Sequence, residues 1–175
     1  GSITPPLLTE DRQKRILHIM EKISTAFEIN NSALKGDLII DENGEIKVIE
    51  IAARTSGGFD SQVRKPTSFG IDIISLTLDL SLGNNINFND LIPKWIKWSK
   101  TASIFPEPGI VQKIIGDNWV KRNKCVVDYK ILINLGDRIN SYHDCSKRTN
   151  YLTFKADTYE SLVTIEKSIQ DNFKI

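Results

Sequence analysis

The chain has 175 residues, 40% of them hydrophobic and 26% charged, enough for one medium globular domain or two small ones. A formal net charge of +1 gives no case for a nucleic-acid patch or an acidic tail. No apolar run approaches the ~20 residues that cross a bilayer, so neither a nucleic acid nor a membrane is expected as partner. Cys125 and Cys145 are isolated, no CxxC is present and no signal-peptide pattern is seen, which together suit a reducing, cytoplasmic setting. Gly1-Ser2 reads as a cloning remnant and is set aside.

Thr9 is a good N-cap, and Glu10 and Asp11 fall in a first turn whose dipole favours acids. Ile16, Met20, Ile23 and Phe27 recur at helical spacing, so an amphipathic helix is expected over residues 9–27. His18 lies in it and reads as structural. Asn30-Asn31-Ser32 is a loop.

The next stretch, KGDLIIDENGEIKVIEIAARTSGG from Lys35 to Gly58, carries the most chemistry. Residues 36–40 and 45–51 read as two strands joined at Asn43-Gly44, a strong hairpin signal. A two-residue loop there sets Ile39 opposite Val48 and Asp37 opposite Glu50. A four-residue loop leaves the two carboxylates diagonal on one face, and a three-residue loop with a bulge can send them to opposite faces. Like charges facing one another cost roughly 0.2–1 kcal/mol. Leu38, Ile39, Val48 and Ile49 lower the dielectric around them, and a hard divalent cation is the simplest compensation. The alternative is a surface hairpin with solvated acids. Arg54 follows closely, suited to bidentate grip on phosphate or carboxylate. Gly57 and Gly58 permit positive φ or close approach of a ligand.

A helix is expected over 68–82, closed by Gly83, with Ile71, Ile74, Leu78 and Leu82 as its inner stripe. A boundary falls near 90–97, dividing the chain into 3–92 and 93–175. The second part reads as a compact α+β unit. Strands are expected over 98–105, 110–115, 125–134 and 151–155, with turns at Pro106-Glu107-Pro108-Gly109 and Gly136-Asp137. Lys121-Arg122-Asn123-Lys124 reads as a solvated turn. A last helix is expected to start at Asp157 with Glu160 in a capping-box role and Leu162, Ile165, Ile169 and Phe173 inside. Trp95 and Trp98 read as packing residues. Residues 143–150, with Arg148 among them, read as a charged, solvated hairpin loop. Arg64 and Lys65, just past the glycines, are further phosphate candidates.

Asp37, then Glu50-Ile51-Ala52-Ala53-Arg54, then Gly57-Gly58, then Thr67-Ser68-Phe69-Gly70-Ile71-Asp72-Ile73-Ile74, resembles the signature of the ATP-grasp ligases. The Glu-x-Ala-Ala-Arg form is most similar to the branch of L-amino acid ligases, which are carboxylate–amine ligases. The likeness is most specific over residues 8–90 and weaker beyond. It implies an α+β fold: the C-terminal lobe of an ATP-grasp domain, an antiparallel sheet with packed helices, followed by a small α+β C-terminal domain. It implies that Asp37 and Glu50 hold Mg²⁺ (or Mn²⁺), that Arg54 contacts the transferred phosphoryl group, and that Ile39 packs on adenine. Gly57 and Gly58 are expected beside the phosphates of the ATP co-substrate. Ala52 stands where many relatives place a metal-binding Asn, and Asp37 is shorter than the Glu common at its position, so one metal or two is left open.

The phosphate-binding lysines and glycine-rich flap that the resemblance expects in a first lobe do not occur here, nor does G-x-x-x-x-G-K-[ST]. The resemblance thus implies a fragment, inactive alone, that binds metal–nucleotide weakly. The expected partners are a small-molecule carboxylate, an amine and the missing N-terminal lobe; a homodimer is left open. The alternatives are another ATP-grasp branch, of carbamoyl-phosphate synthase or biotin-carboxylase type, and a non-catalytic interaction module that keeps the fold.

Overall fold

The computed structural model describes residues 1–141 and 148–175. Cys145 and most of the loop expected at 143–150 lie outside the described residues. The chain forms two compact units. One comprises Pro6–Gln62 and Ile71–Ile92; the other comprises Gly1–Pro5, Val63–Gly70 and Pro93–Ile175.

The first unit is a helical and hairpin assembly. Helix α1 spans Glu10–Ala26, and Thr9 caps it by accepting a hydrogen bond from the Arg12 N–H. Strands β2 (Lys35–Ile40) and β3 (Ile46–Ala52) pair antiparallel. Helix α1 lies against the Gly36 face of this hairpin, where an added Cβ would come 2.7 Å from Met20 Sδ. Glycine is what allows that approach. The helix expected over 68–82 is instead two. Pro66 sits at the start of a short α2, Lys65–Phe69, and Gly70 at φ 69° closes it. Helix α3 then runs Ile73–Ser81, with Asp72 capping it through the Ser75 N–H. A left-handed glycine and an Asx cap are stop and start signals, and they outweigh the apolar spacing across Gly70-Ile71-Asp72. Ile71, expected on the helix's inner stripe, is buried but outside either helix.

The second unit holds the well-formed core. Strands β1 (Ser2–Thr4), β4 (Trp98–Ala102), β6 (Val126–Ile131) and β8 (Asn150–Ala156) form an antiparallel sheet in the order β1-β4-β8-β6. Alternation along β8 sends Leu152, Phe154 and Ala156 to one face. There they meet Leu162 and Ile169 from α5 (Tyr159–Asn172), Phe173 just past its end, and Val120 from α4 (Asp117–Arg122). The other face is polar but satisfied. Thr101 and Thr153 hydroxyls meet across the strands at 2.9 Å, and Ser99 meets Ser68 of α2 at 2.5 Å. At the start of β8, in step with Leu152 and Phe154, the fully buried Asn150 donates to the Ile104 carbonyl at 2.7 Å and accepts from the Ile104 N–H at 2.9 Å. It thereby substitutes for a missing strand partner.

Several expectations change here. The strand expected at 110–115 shrinks to β5 (Gly109–Ile110), which pairs with β7 (Arg138–Ile139). The expected solvated turn at Lys121-Arg122 is the last turn of α4. Ser2, set aside in the sequence reading, belongs to an edge strand and pairs with Thr101. Asp157 does not cap α5; Thr158 does, accepting from the Ser161 N–H at 3.1 Å, while Asp157 pairs with Lys97 at 2.9 Å. Trp98 packs against Tyr159 with ring centroids 5.3 Å apart, and Trp95 donates its indole N–H to the Thr67 carbonyl.

Candidate functional site

The hairpin turn is set by Asp41. Its carbonyl accepts the Gly44 N–H and its own N–H donates to the Glu45 carbonyl, both at 2.9 Å. The loop is therefore Glu42-Asn43-Gly44, with Gly44 at φ 80°, as a type I turn closed by a left-handed residue requires. The Asp41 carboxylate accepts the Asn43 and Glu45 N–H groups and pairs with Lys47 at 2.8 Å. The Lys47 ammonium and then the Glu45 N–H hold this carboxyl below the usual carboxylate range.

This is one residue longer than the two-residue loop of the hairpin signal, and it shifts the register. Ile40 pairs with Ile46, Ile39 with Lys47 and Leu38 with Val48. The expected Ile39–Val48 pairing is thus corrected. Carried on, that register would set Asp37 opposite Ile49. A bulge intervenes: the pairing resumes as Asp37 with Glu50, Gly36 with Ile51 and Lys35 with Ala52. Ile49 is the extra residue. Loop and bulge offset each other, and the two carboxylates end up opposite one another.

They also converge. Lys35 Nζ lies 2.5 Å from Asp37 Oδ2 and 3.8 Å from Glu50 Oε1. Lys35 precedes Asp37 by two residues, so strand alternation places both on one face. This residue was missed in the sequence, although its spacing carried the signal. The low-dielectric setting expected around the acids is not found. The Asp37 and Glu50 side chains are 53% and 58% exposed, and Ile39 and Ile49 are exposed beside them. The open face of the hairpin therefore carries two solvated carboxylates, a mostly covered lysine side chain and exposed apolar side chains.

The other predicted residues lie further along the same chain segment. Arg54 turns back on its own loop, its N–H donating to the Ala52 carbonyl and its guanidinium to the Thr55 carbonyl, both at 2.9 Å. Among the described residues it makes no ion pair with Asp37 or Glu50. Gly58 takes φ 64° and is followed by Phe59 at φ 63°, a left-handed pair whose second member is strained for a bulky side chain. A Cβ on Gly57 would meet nothing within 4 Å, leaving its backbone open to close approach. Arg64 and Lys65 belong to the other unit, where the Arg64 carbonyl accepts the Ser99 hydroxyl. Arg148 stacks over the Tyr151 ring at 5.4 Å.

The donor set fits one hard cation. Two carboxylate oxygens already converge on a single positive charge, and Mg²⁺ is commonly held by one or two carboxylates with water and phosphate completing its shell. Among the described residues no group of three or more His, Cys, Asp or Glu side chains is placed to hold a metal, and Ala52 offers no donor. Among the same residues no helix is long and apolar enough to cross a membrane.

No protein-family model matches the sequence, and a search of curated proteins finds no match. Solved structures do match. L-amino acid ligase from Bacillus licheniformis aligns at TM-score 0.85 and 22% identity, over 99% of this chain and 43% of that one. Phosphoribosylglycinamide synthetase from Anaerococcus prevotii aligns at TM-score 0.82 and 18% identity, over 99% of this chain and 44% of that one. The biotin carboxylase domain of Hydrogenobacter thermophilus 2-oxoglutarate carboxylase, solved with MgADP, ADP and bicarbonate, aligns at TM-score 0.70 and 18% identity, over 99% of this chain and 38% of that one. The chain thus spans less than half the length of each of these neighbours, and its fold is that of the C-terminal part of ATP-grasp enzymes.

Proposed function

We propose that the chain is the C-terminal portion of an ATP-grasp ligase that joins a small-molecule carboxylate to an amine at the expense of ATP, in the branch of the L-amino acid ligases. The γ-phosphoryl group of ATP passes to the carboxylate oxygen to give an acyl phosphate. The amine then attacks the acyl carbon and displaces inorganic phosphate, leaving an amide. Asp37 and Glu50 bind Mg²⁺ or Mn²⁺, which when bound neutralises phosphate charge. Arg54 turns from the Thr55 carbonyl to the transferred phosphoryl group and stabilises the charge there. Ile39, exposed on the same face as Asp37, offers an apolar seat for adenine, and the backbone at Gly57 lies open to the phosphates, with Gly58 next to it.

The observation that carries this reading is the convergence of Asp37 and Glu50 on one cationic centre. The L-amino acid ligase branch rests on Glu50-Ile51-Ala52-Ala53-Arg54, because the likenesses at TM-scores 0.85 and 0.82 are too similar to choose between branches. The test is ATP-dependent phosphate release by the longer enzyme carrying this segment. Glu50→Ala is expected to abolish it, a loss of at least about a hundredfold for a ligand that positions transition-state charge. Turnover retained in that variant would remove the metal role.

A further inference from the structure

We propose that Lys35 is an exchangeable counter-ion of this site, a built-in competitor that weakens the binding of a bare divalent cation; the inference rests on the metal reading of Asp37 and Glu50. Three observations lead to it. First, the ammonium is where a cation shared by the two carboxylates belongs, at 2.5 Å from Asp37 and 3.8 Å from Glu50. Second, the Lys35 side chain is only 21% exposed while the two acids are more than half exposed. The lysine is thus held closer in than the acids, whose side chains remain open to solvent. Third, the residue directly across the hairpin from Lys35 is Ala52, whose methyl group neither competes for the ammonium nor adds a donor for a metal.

The physical consequence follows from charge. A dication held by the same two carboxylates sits within a few ångströms of the ammonium, and the two repel. Binding bare metal therefore requires the lysine to leave its carboxylates and gives it nothing in return. Both carboxylates are more than half exposed, so solvent screening leaves their contacts with Lys35 weak enough to exchange. A cation that arrives already coordinated by phosphate differs, because the phosphate oxygens supply the displaced ammonium with a new partner. Lys35 thus selects for a metal–phosphate complex over the free ion.

The test is titration of the chain with Mn²⁺ alone, followed by electron paramagnetic resonance of the free ion, and then with Mn²⁺ in the presence of inorganic tripolyphosphate. Lys35→Met is expected to bind bare Mn²⁺ roughly three- to tenfold more tightly than the parent, and to lose the parent's preference for the tripolyphosphate complex. Lys35→Arg, which keeps the charge, is expected to bind like the parent. Lys35→Gln guards against a folding defect in the Met variant and is expected to behave as that variant does. Equal or weaker Mn²⁺ binding by both neutral variants, with binding still abolished by Asp37→Asn combined with Glu50→Gln, would overturn the counter-ion role and leave the metal reading intact. Binding unaffected by that double substitution, or no binding in any form, would overturn both.

Discussion

At the level of single residues, the site depends on how Asp37, Glu50 and Lys35 share one face of a two-stranded ribbon. The two carboxylates were legible because Asn43-Gly44 announces a hairpin and they lie at equal distances from it in sequence. Lys35 was legible in principle, being two residues from Asp37 on one strand, but a search for ligands passes over a cation. Asp41 shows the reverse case. It reads as an ordinary turn acid, yet it organises the loop through two backbone N–H groups and Lys47. Its pKa is lowered from 3.8, with the Lys47 contact the largest cause. A depressed carboxyl contributes stability that is present above its unfolded value and is lost as pH falls through the folded one. Amides of the hairpin are therefore expected to lose protection as pH falls below about 4, and Asp41→Asn is expected to flatten that dependence. Hydrogen exchange across the acid range checks it; an equally steep loss in the variant would assign the effect to other carboxyls.

At the level of elements, short segments and compensating irregularities were the hard part. Strands β5 and β7 have two residues each and α4 has six, too short for a period to show. The hairpin register was reached through a loop one residue too short, and the correct pairing of Asp37 with Glu50 emerged because the Ile49 bulge cancels the longer turn. A bulge of this kind leaves no residue signature, since Ile49 is itself a good strand former. By contrast, the long helices α1 and α5 carried clear apolar spacing and capping residues. One junction makes a sharp structural demand. Gly116 has φ 85°, and an added Cβ would lie 1.9 Å from the Asn172 carbonyl oxygen at the end of α5. The chain there is also tied by pairing between Ile115 and Lys174. Gly116→Ala is expected to destabilise this unit by about 2–4 kcal/mol, combining backbone strain with a clash that flexible side chains cannot absorb. Urea denaturation monitored by Trp fluorescence measures it; a change below about 0.5 kcal/mol, the level of a neutral surface substitution, would contradict the packing described.

At the level of the whole molecule, burial is unevenly divided. The sheet unit encloses Leu152, Phe154, Leu162, Ile169 and Phe173 almost completely. In the hairpin unit α1 and α3 have no fully buried residue, and Leu17, Ile39, Ile49, Leu78, Leu82 and Phe88 are exposed. Hydrophobic burial is the dominant stabilising contribution to folding. Backbone amides of α1, β2 and β3 are therefore expected to exchange with solvent well before those of β8 and α5. Hydrogen exchange followed by mass spectrometry reads this directly, and matching protection in the two units would contradict it. The α+β class and the antiparallel sheet were legible in the alternation of short apolar runs with two well-capped helices. The exposed apolar surface of the hairpin unit was not, because apolar spacing marks which side chains share a face and does not say whether anything covers that face.

The claim on which the rest depends is that the acids at 37 and 50 share one divalent cation, and paramagnetic broadening by Mn²⁺ tests it at residue resolution even where binding is weak. In the ¹⁵N-labelled chain, amide signals of residues 35–38 and 49–52 are expected to broaden first, and Asp37→Asn with Glu50→Gln is expected to remove that broadening. First broadening elsewhere, or an unchanged pattern in the doubly substituted protein, would contradict it.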